Sequence, residues 1–573
     1  MDRVTRNNLE AFREEQSLTT VPESKAFEML AAYCVVSDAF DDEFDVSDIA
    51  TGGEGDIGLD GIAIVVNGAL VTSVEEVQDL LEVNGVLDVT FIFVQAKSGG
   101  NFSNQDITSL FDGVEEFVSD NPVLPVNDDV ENYRSVMQVI YDNSIKFRRN
   151  KPYCQLSFVS TGKWTDDKFL AALIAKRIER LENTGLFSVV SFCPIDADEL
   201  HASYQRSKNS TAAEFAFPNK ILLPDMAGVQ EAYLGTLPST EFLKIIVDSS
   251  GNIRKSLFYD NVRDFQEYNA VNKEIQATLQ DQQARGRFAV LNNGITIVAH
   301  QLRPTRDKLA ISDFQIVNGC QTSHVLFDQK ENLSDSVHVP LRVIATDDED
   351  LTSAIITATN RQTEVTADDL YALGTFQKRL EAFLAAYPNK KKLFYERRSK
   401  QYNSTPGIEK VRIITKPQQI RAFAAMFLDD PHRASRYYAD LRVQVGDKIF
   451  NGQHKLDPYY VSAYASYKLE FLFRNSGLPA YYKPARYHLL MAFRYIVGGI
   501  EMPDLRANKI QPYCNKLCDA LWNDANAIQD FTKGIAAIDK AIGDSPLTRD
   551  SVKTQGFTDA VRLALNLPVT KRS

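Results

Sequence analysis

The chain contains 573 residues, of which 44% are hydrophobic and 24% are charged, so it has enough apolar material for several packed domains. No apolar run approaches the roughly 18 residues of a membrane span, and the N-terminus lacks the apolar stretch of a signal peptide. The six cysteines form no CxxC pair, which argues against a zinc site or a disulfide framework. These features argue against a membrane, secreted or largely disordered protein, and we expect a cytoplasmic protein without a membrane partner.

The net charge is −13, from 63 basic and 76 acidic residues, but the charge is segregated along the chain. Residues 390–421 contain six Lys, four Arg and two Glu, whereas residues 38–60 contain nine carboxylates and no Lys or Arg. Phosphate binding depends on a local patch of charge rather than on the average, so nucleic acid stays a candidate partner. We interpret the acidic stretch as partly a metal site and mostly a solvated loop.

Helices and strands alternate in the first third of the chain. Apolar residues at helical spacing predict a helix over Pro22–Phe40. The pair Asn67-Gly68 favours a primed turn, which predicts a hairpin between strands Ile62–Val66 and Ala69–Val71. The run Val89–Ala96 is nearly all apolar and rich in β-formers, which is typical of a central buried strand. This order of elements predicts an α/β domain with a mixed sheet flanked by helices.

The pattern changes near residue 215 and again near residue 350. Between these points the sequence predicts an α+β region with strands over residues 288–291, 295–299, 314–317 and 337–344. After residue 350 the chain is predicted to be mostly α-helical. We therefore divide the chain into residues 1–215, 216–350 and 351–573.

The candidate chemistry lies in the first domain, where Asp60 precedes one strand and Gln95 and Lys97 lie two apart on another. Alternate residues of a strand point to the same face, so Gln95 and Lys97 share a face and Ala96 points to the other. If the two strands are neighbours, the three polar side chains converge at one edge of the sheet. Such a group can hold a divalent metal through oxygens, with a substrate phosphate completing the ligands, while the lysine stabilises charge on phosphorus.

This pattern resembles the PD-(D/E)xK nuclease superfamily, particularly its Mrr-like restriction branch, in which Gln often replaces the second acidic residue. The resemblance implies a restriction-endonuclease-like fold and cleavage of phosphodiester bonds with Mg²⁺ or Mn²⁺. By position, it implies Asp60 and Gln95 as metal ligands and Lys97 as the motif lysine. It also implies Glu28, on the preceding helix, as an auxiliary ligand, and Gln105 as a substrate contact.

These residues also have ordinary structural explanations. A lysine often ends a buried strand, and Asp60-Gly61 is a common turn pair. Gln95 in place of an acid also keeps open a nuclease fold that has lost its chemistry.

Short motifs rich in Asn, Gln, Thr and Gly follow one another in the second half of the chain. They are FYDNVR at 258–263, LNNGIT at 291–296, IVNGCQT at 316–322, TNRQT at 359–363 and YERR at 395–398. Together they resemble the AIPR family, named for abortive infection and phage resistance, over roughly residues 225–530. The resemblance implies a role in bacterial antiviral defence.

The amides and hydroxyls of these motifs suit recognition better than proton transfer. The candidate recognition residues are Asn293, Asn318, Gln321, Thr322, Asn360 and Gln362. A helix predicted over Cys320–Lys330 would direct its N–H groups and positive dipole end towards an anion. The alternative is structural, with Asn-Gly pairs forming turns and the amides pairing with buried backbone.

The basic segment interleaves cations with aromatic residues. Its candidate nucleic-acid contacts are Lys390, Lys391, Lys392, Arg397, Arg398 and Lys400. Cations for phosphates and rings for base stacking, here Phe394, Tyr395 and Tyr402, are typical of a nucleic-acid surface. Alternatively the lysines are merely solvated, and one arginine pairs with Glu396.

The seven histidines show no metal-binding spacing, and the chain contains no GxSxG, GxxxxGK[ST] or GxGxxG motif. Serine hydrolase, P-loop ATPase and Rossmann functions are therefore unsupported, and an energy-consuming step would need a partner ATPase. We predict a bacterial defence effector in which the AIPR region controls a metal-dependent nuclease that prefers DNA to RNA. The alternatives are an inactive scaffold or sensor for nucleic acid or partner defence proteins, and an RNA-cleaving abortive-infection toxin. A homodimer would supply the two active sites that cutting a duplex usually needs.

Overall fold

The computed structural model describes residues 1–40, 43–148, 151–165, 167–208, 212–247, 253–258, 270–359, 367–397, 401–402, 405, 407–436, 441, 443–549 and 551–568. Among these residues, no helix has the combination of length and apolar character that crossing a bilayer requires.

A five-stranded mixed sheet forms the centre of the N-terminal region, in the order β2-β1-β3-β4-β5. Its strands are β1 (Gly61–Val66), β2 (Ala69–Val71), β3 (Val89–Lys97), β4 (Tyr153–Ser160) and β5 (Val189–Ile195). The helices of this region are α1 (Arg3–Glu15), α2 (Glu23–Ala39), α3 (Val46–Ile49), α4 (Val74–Asn84), α5 (Asn104–Phe117), α6 (Asp128–Asp142), α7 (Lys168–Glu182) and α8 (Ala197–Lys208). β1 pairs antiparallel with β2 and β3, while β3, β4 and β5 run parallel. The predicted mixed sheet flanked by helices is confirmed.

The predicted hairpin and central strand are both present. Asn67 and Gly68 have φ angles of 50° and 72°, as a primed turn requires. Although α4 separates β1 from β3 in sequence, the two strands are neighbours, with Gly61 opposite Val94. Asp60 therefore lies beside the end of β3, where Gln95 and Lys97 are located.

Two layers of helices cover the two faces of this sheet, each with its own apolar core. Ile92, Val94 and Ala96 of β3 pack in the core formed with α1, α2 and α8. Phe91 and Phe93 pack in the core formed with α5, α6 and α7. Because strand side chains alternate, α2 and α5 lie on opposite faces of β3.

A six-stranded sheet forms the middle region, in the order β6-β10-β9-β11-β8-β7. Its strands are β6 (Ala212–Ala216), β7 (Asn219–Leu222), β8 (Glu231–Pro238), β9 (Ile295–Thr305), β10 (Lys308–Asn318) and β11 (His338–Ala345). Its helices are α9 (Ser239–Ile246), α10 (Ala270–Gln280), α11 (Phe288–Leu291) and α12 (Cys320–Asp328). The predicted strand over residues 288–291 is wrong, because this segment is α11. Four apolar residues are too few for periodicity to distinguish a strand from a helical turn.

The C-terminal region is mostly helical, as predicted. Its helices are α13 (Glu349–Thr359), α14 (Ala367–Ala385), α15 (Lys416–Phe427), α16 (Pro431–Arg436), α17 (Asp457–Arg474), α18 (Arg486–Gly498), α19 (Ile510–Trp522), α20 (Asp524–Ile542) and α21 (Gln555–Ala564). Two short parallel strands, β12 (Phe394–Glu396) and β13 (Ile413–Thr415), lie between α14 and α15. Helices α14 to α21 all contribute residues to one large apolar core.

Ion pairs connect the N-terminal and C-terminal regions, with N–O distances of 2.5–3.6 Å. They are Lys410–Glu43, Arg474–Asp45, Lys483–Asp48, Arg486–Asp48, Arg421–Glu76, Lys553–Glu75 and Arg549–Asp129. Glu43, Asp45 and Asp48 belong to the stretch interpreted as a solvated loop. That interpretation is wrong for these three acids, because the C-terminal region pairs them with its bases.

Candidate functional site

Asp60 is held in one orientation at the edge of the N-terminal sheet. Its side chain is only 6% exposed, and its Oδ2 accepts a hydrogen bond of 2.8 Å from the Ala96 N–H. Its own N–H donates to the Val94 carbonyl at 2.9 Å. The end of β3 thus fixes both the backbone and the carboxylate of Asp60.

Glu28 meets Asp60 at Gly52, in the loop that leads from α3 to β1. A Cβ on Gly52 would lie 2.9 Å from Glu28 Oε2 and 3.2 Å from Asp60 Oδ1. Glu28 lies on α2, which packs on β3 through Phe27 and Leu30. Because Gly52 has no side chain, both carboxylates reach the small space beside its Cα, which a Cβ could not enter without displacing their ends.

Lys25 faces the same space, although the sequence patterns did not single it out. Its Nζ would lie 2.7 Å from a Cβ on Gly52, donates to the Gly52 carbonyl and lies 3.6 Å from Glu28 Oε2. The only sequence signal is its position three residues before Glu28, which puts both on one face of a helix. The space is thus surrounded by two acids, one carbonyl and one ammonium group.

Burial raises the pKa of Asp60 to about 7. The hydrogen bond from the Ala96 N–H opposes this shift, the carboxylate of Glu28 adds to it, and the charge of Lys97 opposes it. A buried carboxyl whose pKa is raised beside a second acid is typical of a functional site.

Gln95 and Lys97 differ in how they relate to this space. By strand alternation Gln95 shares the face of Phe91 and Phe93, opposite to the face that α2 covers. Its Nε2 would lie 3.4 Å from a Cβ on Gly58, and its buried Oε1 has no hydrogen-bond partner. Lys97 is exposed at the end of β3. The structure thus brings Glu28 to Asp60 and places the Gln95 amide near Gly58 and Ser109 of α5.

The oxygen atoms around Gly52 suit a hard divalent cation. Carboxylate and carbonyl oxygens are the ligands that Mg²⁺ and Mn²⁺ prefer, and Asp60, Glu28 and the Gly52 carbonyl supply them. The unpartnered Gln95 Oε1 is a further acceptor near the same loop. No group of three or more His, Cys, Asp and Glu that could hold a metal occurs in the described part of the chain. A cation here would therefore need water or a substrate phosphate as well.

The amide motifs of the middle region come together at the start of α12. Asn272 Nδ2 donates to Gln321 Oε1 at 2.6 Å, and Asn292 Nδ2 donates to Thr322 Oγ1 at 3.2 Å. Gly319 precedes the helix with a φ of 97°, and a Cβ there would lie 2.7 Å from Ile295 Cγ1. Amide pairing and glycine packing thus account for part of these motifs, in line with the structural alternative.

The other candidate recognition residues differ in their positions. Asn293 is exposed, and Asn318 is partly exposed at the end of β10. Asn360 and Gln362 lie outside the described residues. Gln105, the candidate substrate contact, is exposed in the first turn of α5.

The basic segment contributes largely to packing within the C-terminal region. Lys390 is exposed, but Lys391 Nζ lies 3.5 Å from the centre of the Trp522 ring. Arg397 pairs with Glu381 and is partly buried. Arg398 and Lys400 lie outside the described residues.

The neighbouring side chains of the basic segment also have contacts within the protein. Lys392 Nζ lies 6.0 Å from the centre of the Phe394 ring. Tyr395 is fully buried in the C-terminal core, so its ring is not accessible for base stacking. Tyr402 is about 5.3 Å from Phe394, ring centre to ring centre. The predicted cations and aromatic rings of this segment therefore partly pack against one another and against the C-terminal core.

Comparison with known proteins supports the second resemblance. Residues 258–541 match the family model described as AIPR protein. No curated protein and no solved structure matches the chain. The matched range covers α10 to α20 and includes the motifs around residues 291–296 and 316–322. The match supports the predicted AIPR region, and residues 258–541 of the chain are similar to the AIPR family.

Proposed function

We propose that the N-terminal region is a metal-dependent nuclease and that the AIPR region controls it in bacterial antiviral defence. The observation that supports the nuclease is the meeting of Glu28 and Asp60 at Gly52, beside a strand that ends in the exposed Lys97. The AIPR match suggests the defence role, since this family is named for abortive infection and phage resistance.

Each residue would have a distinct task in phosphodiester cleavage. Asp60 and Glu28 would hold one divalent cation, and the hydrogen bond from Ala96 would keep the Asp60 carboxylate oriented towards it. When bound, Mg²⁺ or Mn²⁺ supplies Lewis-acid polarisation of the scissile phosphate. Lys97 would orient the attacking water and stabilise negative charge on phosphorus.

The contacts of α3 support control by the AIPR region. Asp45 caps α3 and pairs with Arg474 of the C-terminal region. Asp48 lies within α3 and pairs with Lys483 and Arg486 of the same region. The chain continues from α3 directly to Gly52. A movement of the C-terminal helices would therefore displace the loop on which the cation site depends.

A cleavage assay tests the nuclease. Wild type, Lys97→Ala and Lys176→Ala would be incubated with plasmid DNA and with total RNA, in Mg²⁺, Mn²⁺ or EDTA. Lys176 is exposed on α7 and serves as a matched control. We expect metal-dependent cleavage, with DNA as the preferred substrate, that Lys97→Ala abolishes and Lys176→Ala retains. Cleavage by Lys97→Ala at the wild-type rate would refute the assignment of this lysine.

A second candidate function is an inactive scaffold or sensor. The observation that favours it is that the Gln95 amide lies near Gly58, so that the carboxylates of Glu28 and Asp60 meet at Gly52 without it. A scaffold would bind nucleic acid equally well in EDTA and would never shorten it. Cleavage of RNA but not DNA in the same assay would instead support the abortive-infection toxin.

A further inference from the structure

We propose that Lys25 competes with the metal: its ammonium group, beside Glu28 and the Gly52 carbonyl, lies at the cation site and must leave before a divalent ion binds. The inference rests on the cation site of the proposed function and adds a regulatory residue to it.

The first argument is the position of the ammonium group. Lys25 Nζ, Glu28 Oε2 and Asp60 Oδ1 all lie within 3.2 Å of the place where a Cβ on Gly52 would be. Nζ also donates to the Gly52 carbonyl. Nζ thus contacts two of the oxygens that would hold a divalent cation, those of Glu28 and Gly52, and a lysine ammonium is itself a compact cation.

The second argument is electrostatic. Two carboxylates that face one small space repel each other. Without a metal, the charge of Lys25 offsets part of this repulsion. A divalent ion in the same space would be repelled by the ammonium group, so the two cations exclude each other.

The third argument is that the Lys25 side chain can move into solvent. Its side chain is 32% exposed, and it lies in the first turn of α2, next to solvent. Its ammonium group can therefore move into water without disturbing the core, whereas Asp60 is held by Ala96. Lysine thus reduces the affinity of the site for metal without changing its ligands.

The test is Mn²⁺ binding by the full chain, measured by electron paramagnetic resonance of free Mn²⁺. The variants are Lys25→Met, Lys25→Arg, Glu28→Gln, Asp60→Asn and the control Lys176→Met. We expect Lys25→Met to bind Mn²⁺ about tenfold more tightly than wild type, because a unit charge next to the ion is removed. Lys25→Arg keeps the charge and should bind like wild type, as should Lys176→Met. Glu28→Gln and Asp60→Asn should weaken binding.

The outcomes separate the inference from the proposed function. If Lys25→Met binds Mn²⁺ no more tightly than wild type while Glu28→Gln and Asp60→Asn lose binding, the inference is wrong and the metal site stands. Absence of Mn²⁺ binding in wild type and Lys25→Met alike overturns both. Tighter binding of Mn²⁺ by Lys25→Met, without cleavage of DNA or RNA by wild type, supports the inference and contradicts the proposed nuclease activity. Thermal unfolding in EDTA checks that each variant is folded.

Discussion

Arg474 and Asp45 form a largely buried ion pair between the C-terminal and N-terminal regions, with 3.3 Å between the guanidinium nitrogen and the carboxylate oxygen. The two side chains are 6% and 16% exposed. Asp45 also accepts a hydrogen bond from the Ser47 N–H and so caps α3. Burial disfavours its ionised form, but the charges of Arg474 and Lys483 together with the hydrogen bonds from Ser47 outweigh burial and hold the pKa of Asp45 well below its ordinary value. One carboxylate thus both starts α3 and connects the two regions.

Removing the charge of Asp45 is expected to destabilise the protein. Asn caps a helix as well as Asp does, so Asp45→Asn removes the charge and leaves Arg474 buried without its partner. We expect a loss of about 3 kcal/mol in the free energy of unfolding, measured by urea denaturation at pH 7. Asp167→Asn is the matched control, because Asp167 is an exposed cap of α7.

The effect of Asp45→Asn should also depend on pH. A carboxyl whose folded pKa is lowered contributes stability that is present above its ordinary pKa of 3.8 and is lost as the pH falls through the folded pKa. The difference between wild type and Asp45→Asn should therefore shrink below pH 4. Equal, small effects of Asp45→Asn and Asp167→Asn at pH 7 would contradict the role of the ion pair.

Filling the space at Gly52 should prevent cation binding without unfolding the protein. A Cβ there would contact the ends of Lys25 and Glu28, which can move away at low cost, but would occupy the place that both carboxylates face. We expect Gly52→Ala to abolish Mn²⁺ binding while the thermal midpoint changes by no more than a few degrees. Gly99→Ala is the control, because a Cβ at Gly99 would meet no atom within 4 Å. Unchanged Mn²⁺ affinity in Gly52→Ala would place the cation elsewhere.

His488 should make the protein less stable in mild acid. It is fully buried, its Nε2 lies 3.0 Å from Thr558 Oγ1, and burial together with the nearby His432 lowers its pKa from 6.5 to about 3. The folded state therefore keeps His488 neutral while the unfolded chain binds a proton below pH 6.5. Stability is thus fully present above pH 6.5 and falls between pH 6.5 and 3, by up to about 1.4 kcal/mol per pH unit.

A substitution isolates this contribution. His488→Gln removes the titrating group, so the dependence of unfolding free energy on pH should become flatter between pH 6.5 and 4. His338→Gln, at a partly exposed histidine, is the matched control. The same slope in His488→Gln as in wild type would show that other groups determine the acid sensitivity.

Lys390 is the member of the basic segment best placed for nucleic acid among those that the structure describes. It is exposed, whereas Lys391 packs on Trp522 and Arg397 pairs with Glu381. If this surface contacts phosphates, Lys390→Ala should weaken binding to DNA or RNA regardless of sequence and reduce the salt slope by about one. Fluorescence anisotropy between low and high salt measures both. Identical binding by Lys390→Ala and Lys176→Ala would exclude this surface.

Local patterns were sufficient for much of the fold. The Asn67-Gly68 hairpin and the central strand β3 were predicted because turn chemistry and a run of apolar β-formers act over a few residues. The motifs around Gly319 were sufficient to predict the AIPR region and the start of α12. The exception, α11, is a four-residue apolar segment in which no period can be recognised.

What the sequence by itself determined is therefore the set of elements, the AIPR region and the acids Asp60 and Glu28 as candidates. Tertiary structure decided which side chains meet: it brought Glu28 and the unsuspected Lys25 to Gly52 beside Asp60, placed the Gln95 amide near Gly58 and paired the acidic stretch with distant bases. The physical reason is the distance along the chain over which each effect acts. Periodicity and turn preferences arise between neighbouring residues, whereas these contacts depend on how α2 packs on β3 and on how the C-terminal helices dock.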